Sequence, residues 1–256
     1  MRSGRIILML AVLLVVTPFV AIGVVLLGGD VTNTYSGDSD GDNLPDEVEA
    51  SDKRLASADP DHRDVYVEIT YAEGMEPQER QLERIKQEFA SAPIENPNGE
   101  EGIQVHFVVD DQPTDIPSSL STSDLHDEDG FAARSFNHRG GGYYHVMITE
   151  DAQSDGRDVG GFYAVDTPHM VVVDGKQETE TGIMAHELGH ALGIEPDDAD
   201  GVDSGLYSYD QYPSVMNYNA PRGSVEFSDG SNGTRDFNDW EEIEEEMNDH
   251  ASKQNL

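Results

Sequence analysis

Residues 181 to 193, TGIMAHELGHALG, hold the side chains of this chain best suited to chemistry: His186, Glu187 and His190. On a helix of about 3.6 residues per turn, histidines four apart project from one face, close enough to share a metal ion. Glu187 then lies next to any water that the ion holds. The chemistry open to such a set is attack by an activated water, with zinc as the ion and the glutamate as general base. The same three residues on a wet helix face would bind nothing, so the surrounding elements have to discriminate.

A second set stands at 38 to 49, DSDGDNLPDEVE. Asp38, Asp40, Asp42, Asp46 and Glu49 fall at positions 1, 3, 5, 9 and 12 of a calcium-binding loop, with the Leu44 carbonyl at position 7. Asn43 replaces the usual glycine at position 6, and asparagine is among the residues that tolerate a left-handed turn. The segment resembles the calcium loops of thrombospondin type 3 repeats and related EF-hand-like modules. In so acidic a chain it also reads as a solvated linker.

The elements that must position these groups emerge from the remaining pattern. Val65, Val67 and Ile69 alternate as in a strand. Pro77 then opens a helical stretch in which Leu82, Ile85 and Phe89 recur at helical spacing, and 103 to 110, IQVHFVVD, reads as a second strand. Strand, helix, strand predicts a parallel pair with a right-handed crossover. Residues 111 to 142 read as a long loop rich in Pro, Ser, Asp and Gly. Strands are expected at 143 to 149, 159 to 165 and 169 to 174. The glycine-rich VGGFYAV at 159 to 165 suits either an edge strand that pairs with an extended peptide or an irregular strand without a role. Thr179 or Thr181 can cap the histidine helix, Ile183, Met184, Leu188 and Leu192 supply its apolar contacts, and Gly193 ends it with a left-handed turn. From 237 an acidic C-terminal helix is expected to turn Phe237, Trp240, Ile243 and Met247 inward.

Composition narrows the classes further. Of 256 residues, 52 are acidic and 15 basic, a net charge of −37, which repels nucleic acid and anionic membrane surfaces. The acids are interleaved with apolar periodic segments, so the excess suits a folded protein kept soluble at high salt, a halophilic character, better than a disordered tail. With no cysteine, disulfides, thiolate ligands and a cysteine nucleophile are excluded. Arg2 and Arg5 precede an apolar run from Ile6 to Leu27, long enough to cross a bilayer of about 30 Å. An uncleaved signal anchor, with the arginines inside and the rest outside, fits better than a cleaved signal peptide, which would need a small-residue cleavage site. The expected organisation is an anchor over 1–28, an acidic linker over 29–61 and one folded domain over 62–256.

HELGHALG, followed at 214 to 218 by SVMNY, resembles the metzincin clan of zinc metalloproteases, which pair HExxHxxG with a methionine-containing turn beneath the zinc. The resemblance covers 64 to 250. It implies an α+β fold, α/β-like in its N-terminal part, with a twisted mixed sheet, a backing helix, an active-site helix and a C-terminal helix. It makes Met216 the turn methionine and Tyr218 a group that reaches the zinc or the oxyanion. Metzincins place a third ligand ten residues after the first histidine, where this chain has Pro196. Proline cannot bind zinc, and Asp197 is the choice among neighbours that include Glu195, Asp198, Asp200 and Asp203. His169 is a weaker candidate, and His106, His126, His138, His145 and His250 show no metal spacing.

The expected activity is therefore zinc-dependent hydrolysis of a protein or peptide substrate, with Ca2+ as a possible second ion. The membrane is engaged through the N-terminal helix and nucleic acid is not a partner. The alternative is an inactive zinc- or calcium-binding surface or adhesion module.

Overall fold

The computed structural model describes residues 37–154, 156–174 and 178–254; the expected signal anchor lies outside the described residues. No helix among the described residues is long and apolar enough to cross a membrane. In chain order the elements are α1 (Asp46–Ser51), β1 (Asp64–Tyr71), α2 (Glu79–Ala90), β2 (Gln104–Val109), β3 (Ser119–Ser121), α3 (Thr122–Leu125), α4 (Phe131–Ser135), β4 (Tyr143–Thr149), β5 (Asp151–Ser154), β6 (Arg157–Val159), β7 (Gly161–Tyr163), β8 (His169–Val173), α5 (Glu178–Ala191) and α6 (Asp239–Gln254).

The architecture is α+β around a twisted mixed sheet of order β2-β1-β4-β8-β7. Strands β2, β1, β4 and β8 run parallel, and β7 closes the edge antiparallel to β8. The expected parallel pair is β1 with β2, joined through α2. A capping box at Gln78 and Gln81 starts α2, and its Leu82, Ile85 and Phe89 enter the main core with Val65, Val67 and Ile69 of β1. The α5 residues Met184, Leu188 and Leu192 join the same core, as do Trp240, Ile243 and Met247 of α6. Helix α5 begins at Glu178, so Thr179 and Thr181 lie inside it rather than capping it. Thr181 is buried and accepts a hydrogen bond from Gln81 Nε2 at 3.0 Å, which ties α5 to α2.

The residues of β1 that alternate with Val65, Val67 and Ile69 do not face water, since all eight residues are buried. The other face is covered by segments that the sequence pattern did not mark as structured. Residues 111 to 142 form β3, α3 and α4, and Ile116, Leu120, Leu125 and Ala132 build a second core with Met147 and Val171. Glu68, fully buried, takes the backbone N–H groups of Asn137 and His138, each at 2.8 Å, and the His138 ring at 2.5 Å. The stretch read as a linker up to 61 is also packed down. Leu44 and Leu55 form a third core with Tyr66, Phe136 and Tyr143, and the Tyr66 and Tyr143 hydroxyls donate to the Ala56 and Arg54 carbonyls. Among the described residues, the stretch from 37 to 61 thus packs on the strands of the sheet.

Candidate active site

Helix α5 presents His186 and His190 on one face, as its period requires, with their Nε2 atoms 3.2 Å apart. Each ring is oriented by its other nitrogen. His186 Nδ1 lies 3.0 Å from the Val215 carbonyl and His190 Nδ1 lies 2.6 Å from the Ile194 carbonyl. A carbonyl can only accept, so Nδ1 carries the proton in both rings and the Nε2 atoms face the cleft.

The third group to reach this point is Asp203. Its Oδ1 is 2.9 Å from His186 Nε2 and 3.3 Å from His190 Nε2. Donor atoms from His186, His190 and Asp203 all lie within 4.8 Å of one another. Asp197, the expected third ligand, is instead exposed on the loop after α5 and is not part of this group. The reason is the path of the chain. Gly193 adopts φ 109° and turns the backbone, but it does so while holding the Ile194 carbonyl against His190. Residues 195 to 198 run exposed over the surface, and the chain returns at Ala199, which packs on the main core, and at buried Gly201 and Val202. Asp203 is then fixed by its own N–H, which donates to the Met216 carbonyl at 3.0 Å, and by a bridge between Ser204 and Asn217. It sits at φ 49°, a left-handed conformation that aspartate tolerates better than most residues. The SVMNY turn therefore holds the carboxylate in place as well as underlying the histidines.

Met216 is fully buried beneath α5. A Cβ at Gly189 would come within 2.7 Å of its Sδ, so the glycine between the histidines is what allows this approach. Tyr218 is exposed at the rim of the cleft, its ring centroid 6.1 Å from that of His186. Desolvation and the nearby Asp203 and Glu187 carboxylates push its hydroxyl up to about 12.

Glu187 is buried on the cleft side of α5. Burial raises its pKa, opposed by the two histidines, and the Tyr163 main chain hydrogen bonds to it. Gly161 of β7 makes room for it, since a Cβ there would lie 2.8 Å from Glu187 Oε1 and 2.5 Å from Ile183 Cγ2. Burial alone would lower the pKa of His186, but the Asp203 hydrogen bond and the Glu187 and Asp203 charges outweigh it and raise it to about 9. Burial would raise Asp203, yet hydrogen bonds from both histidines hold it well below the usual carboxylate range. All of these groups open into a cleft of about 910 Å³ whose lining includes Gly161, Phe162 and Tyr163 of β7 and residues of the 215–224 segment.

His169 and His145 lie away from this point, buried in the sheet with their Nδ1 atoms 3.1 Å apart. The acidic loop is folded. Asp38, Asp40 and Asp42 form one close group, and Asp42 and Glu49 form another with Asp64 of β1, a residue that its position outside the loop motif had hidden. Asn43 takes the expected left-handed turn at φ 73° and Leu44 is buried in the third core. Asp46 is not in either group. Its two carboxylate oxygens accept from the N–H and Oγ of Ser39, at 2.8 and 2.9 Å.

No protein-family model matches the chain, and no curated protein matches it. Among solved structures it is similar to metalloproteinase-II from Bacteroides fragilis, with a TM-score of 0.42 and 13% identity over 73% of this chain and 54% of the other. The chain thus spans about half the length of that protein, and no residue role follows from so distant a likeness.

Proposed function

We propose that this chain is a zinc-dependent endopeptidase of metzincin type. The observation that carries the reading is the convergence of His186 Nε2, His190 Nε2 and Asp203 Oδ1 beside buried Glu187 in an open cleft. The donor set suits zinc: two imidazoles whose Nδ1 protons are committed to carbonyls, and one carboxylate, leaving a further position for water or substrate. A zinc ion held there would lower the pKa of its water toward about 7 and polarise a carbonyl oxygen.

The chain's own groups supply the rest. Glu187 removes the proton of the attacking water and delivers it to the departing amine, a task helped by a carboxyl whose affinity for protons is raised by burial. Tyr218, at the rim on the His186 side, donates its hydroxyl proton to the developing oxyanion, and its high pKa keeps that proton available at neutral pH. Strand β7 is the edge of the sheet and lines the cleft, so an extended peptide can pair with it and lie across the two histidines. The apolar N-terminal run would anchor the chain in a membrane with the cleft outside the cell.

The test is hydrolysis of casein and a peptide library by the zinc-loaded full chain in detergent, at low and molar salt, alongside Glu187→Ala. The variant should retain one zinc per chain and lose at least about a hundredfold in turnover, the lower end of what general acid–base catalysis contributes. Wild-type turnover in the variant, or an inert zinc-loaded wild type, refutes the reading.

A further inference from the structure

The acidic loop holds two carboxylates whose surroundings make no sense for a solvated linker. Glu49 is 5% exposed, and neither of its carboxylate oxygens has a hydrogen-bond partner. Asp40 is 2% exposed, and its Oδ2 is likewise unpartnered. A buried carboxylate without donors or a cation is among the most costly groups a fold can contain. Three more carboxylates crowd the same place. Asp42 belongs to both close groups and joins Asp38 and Asp40 to Glu49 and Asp64.

The charges are mutually unfavourable. Burial first, and then the neighbouring carboxylates, push Glu49 up to about 8 and Asp42 up to about 9. The Arg63 charge lowers the pKa of Asp40, but two of its guanidinium nitrogens are engaged elsewhere: NH1 donates to the Glu95 carbonyl at 2.9 Å, and NH2 donates to Asn248 Oδ1 at 3.0 Å. What completes such a cluster is a cation.

We propose that Asp38, Asp40, Asp42, Glu49 and Asp64 bind one calcium ion, and that this ion fastens the N-terminal loop to the start of β1 and to α6. The unpartnered carboxylate of Glu49 and its placement beside Asp64 carry the assignment, and the loop spacing agrees with it. The ligands are all hard oxygens: five carboxylates reach the six to eight oxygens that calcium takes when one to three of them bind through both, unlike the nitrogen-rich set of the histidine cluster. Asp64 is what makes the site part of the domain. It opens β1, which pairs with both β2 and β4. On the far side, Gly41 of the loop lies so close to α6 that a Cβ would come within 2.6 Å of Asn248 Oδ1, the same atom that receives Arg63. One ion would therefore set the relation of three segments distant in sequence.

The experiment uses the full chain in detergent, stripped of metal over a chelating resin and resupplied with one equivalent of zinc, with no chelator left in solution. Calcium chloride alone is then titrated by calorimetry, and thermal unfolding is followed in parallel. One calcium per chain should bind. Tm should rise by about 5 to 10 °C when free calcium is about a hundredfold above its Kd. Glu49→Gln and Asp64→Asn should each abolish that rise. Glu49→Gln should also melt higher than the calcium-free wild type, because it replaces a buried carboxyl that has no partner, an effect that a merely structural role would not produce; no such gain is expected of Asp64→Asn, which also gives up the ion pair with His106. Absence of saturable calcium binding by the wild type at millimolar concentrations overturns the proposal, as does an undiminished Tm rise in both variants. If a variant fails to fold, the wild-type isotherm still decides.

Discussion

Replacing Asp203 by Asn tests the assignment of the third ligand with little collateral change. Asparagine has the same shape and tolerates the left-handed φ of 49° at this position, so the backbone bond to Met216 should persist. What disappears is the anionic oxygen 2.9 Å from His186 Nε2 and 3.3 Å from His190 Nε2. Four-ligand structural zinc sites bind with about 10 to 16 kcal/mol, or about 2.5 to 4 kcal/mol per ligand when shared evenly. At about 1.4 kcal/mol per decade, loss of one ligand should weaken zinc binding about 10²- to 10³-fold. Asp197→Asn, on the exposed part of the loop, should change the affinity less than about twofold, within the usual effect of a surface substitution. The assay is competition with a chromophoric chelator of known zinc affinity, performed on the full chain. The reasoning is refuted if Asp203→Asn binds zinc like the wild type, and reversed if Asp197→Asn is the variant that releases it.

Two further outcomes are expected. Gly161→Ala should reduce turnover more than zinc affinity, because the new methyl would lie 2.8 Å from Glu187 Oε1 and no histidine atom is among its three nearest neighbours; it should also cost about 1 to 3 kcal/mol of stability through overpacking, read from urea unfolding. An equal fall in zinc content and turnover would show that the glycine serves the helix and not the glutamate. Burial lowers His145 to about 3 and His169 to about 4, so both are neutral in the fold where the unfolded chain, near 6.5, takes up protons. Their contribution to stability is present above pH 6.5 and is lost as pH falls toward 4, by up to about 1.4 kcal/mol per pH unit for each. His145→Gln should flatten that part of the profile, and parallel curves for variant and wild type between pH 6.5 and 4 would contradict the account.

Within single elements the sequence was sufficient. The i, i+4 geometry of α5 alone places His186 and His190 together with Glu187 alongside, because side-chain direction within a helix is fixed by its period. The same holds for Asp38, Asp40 and Asp42 in one tight loop, and for Leu82, Ile85 and Phe89 on the inner face of α2. Strands β1, β2, β4 and β8 were legible too, and with them the parallel start of the sheet, whereas β3 and β5 were not, and the strand expected at 159 to 165 is divided between β6 and β7. The burial of Glu68 was not, since the pattern of β1 says nothing about which distant segment will cover its second face.

The two sites were completed only by the fold. Asp203 lies thirteen residues past His190, and nothing in the spacing distinguishes it from Asp197, Asp198 or Asp200. It is selected by a long-range backbone bond to Met216, which brings the surface loop back to the histidines. Asp64 is fifteen residues past Glu49 and looks like the ordinary first residue of a strand. The packing of Leu44 and Leu55 with Tyr66 and Tyr143, and the Asp64 N–H that donates to Asp42 Oδ2 at 2.8 Å, draw the acidic loop onto the sheet and set Glu49 beside Asp64. Local periodicity decides which way a side chain points within its own element, whereas the meeting of two elements depends on contacts that no short window of sequence contains.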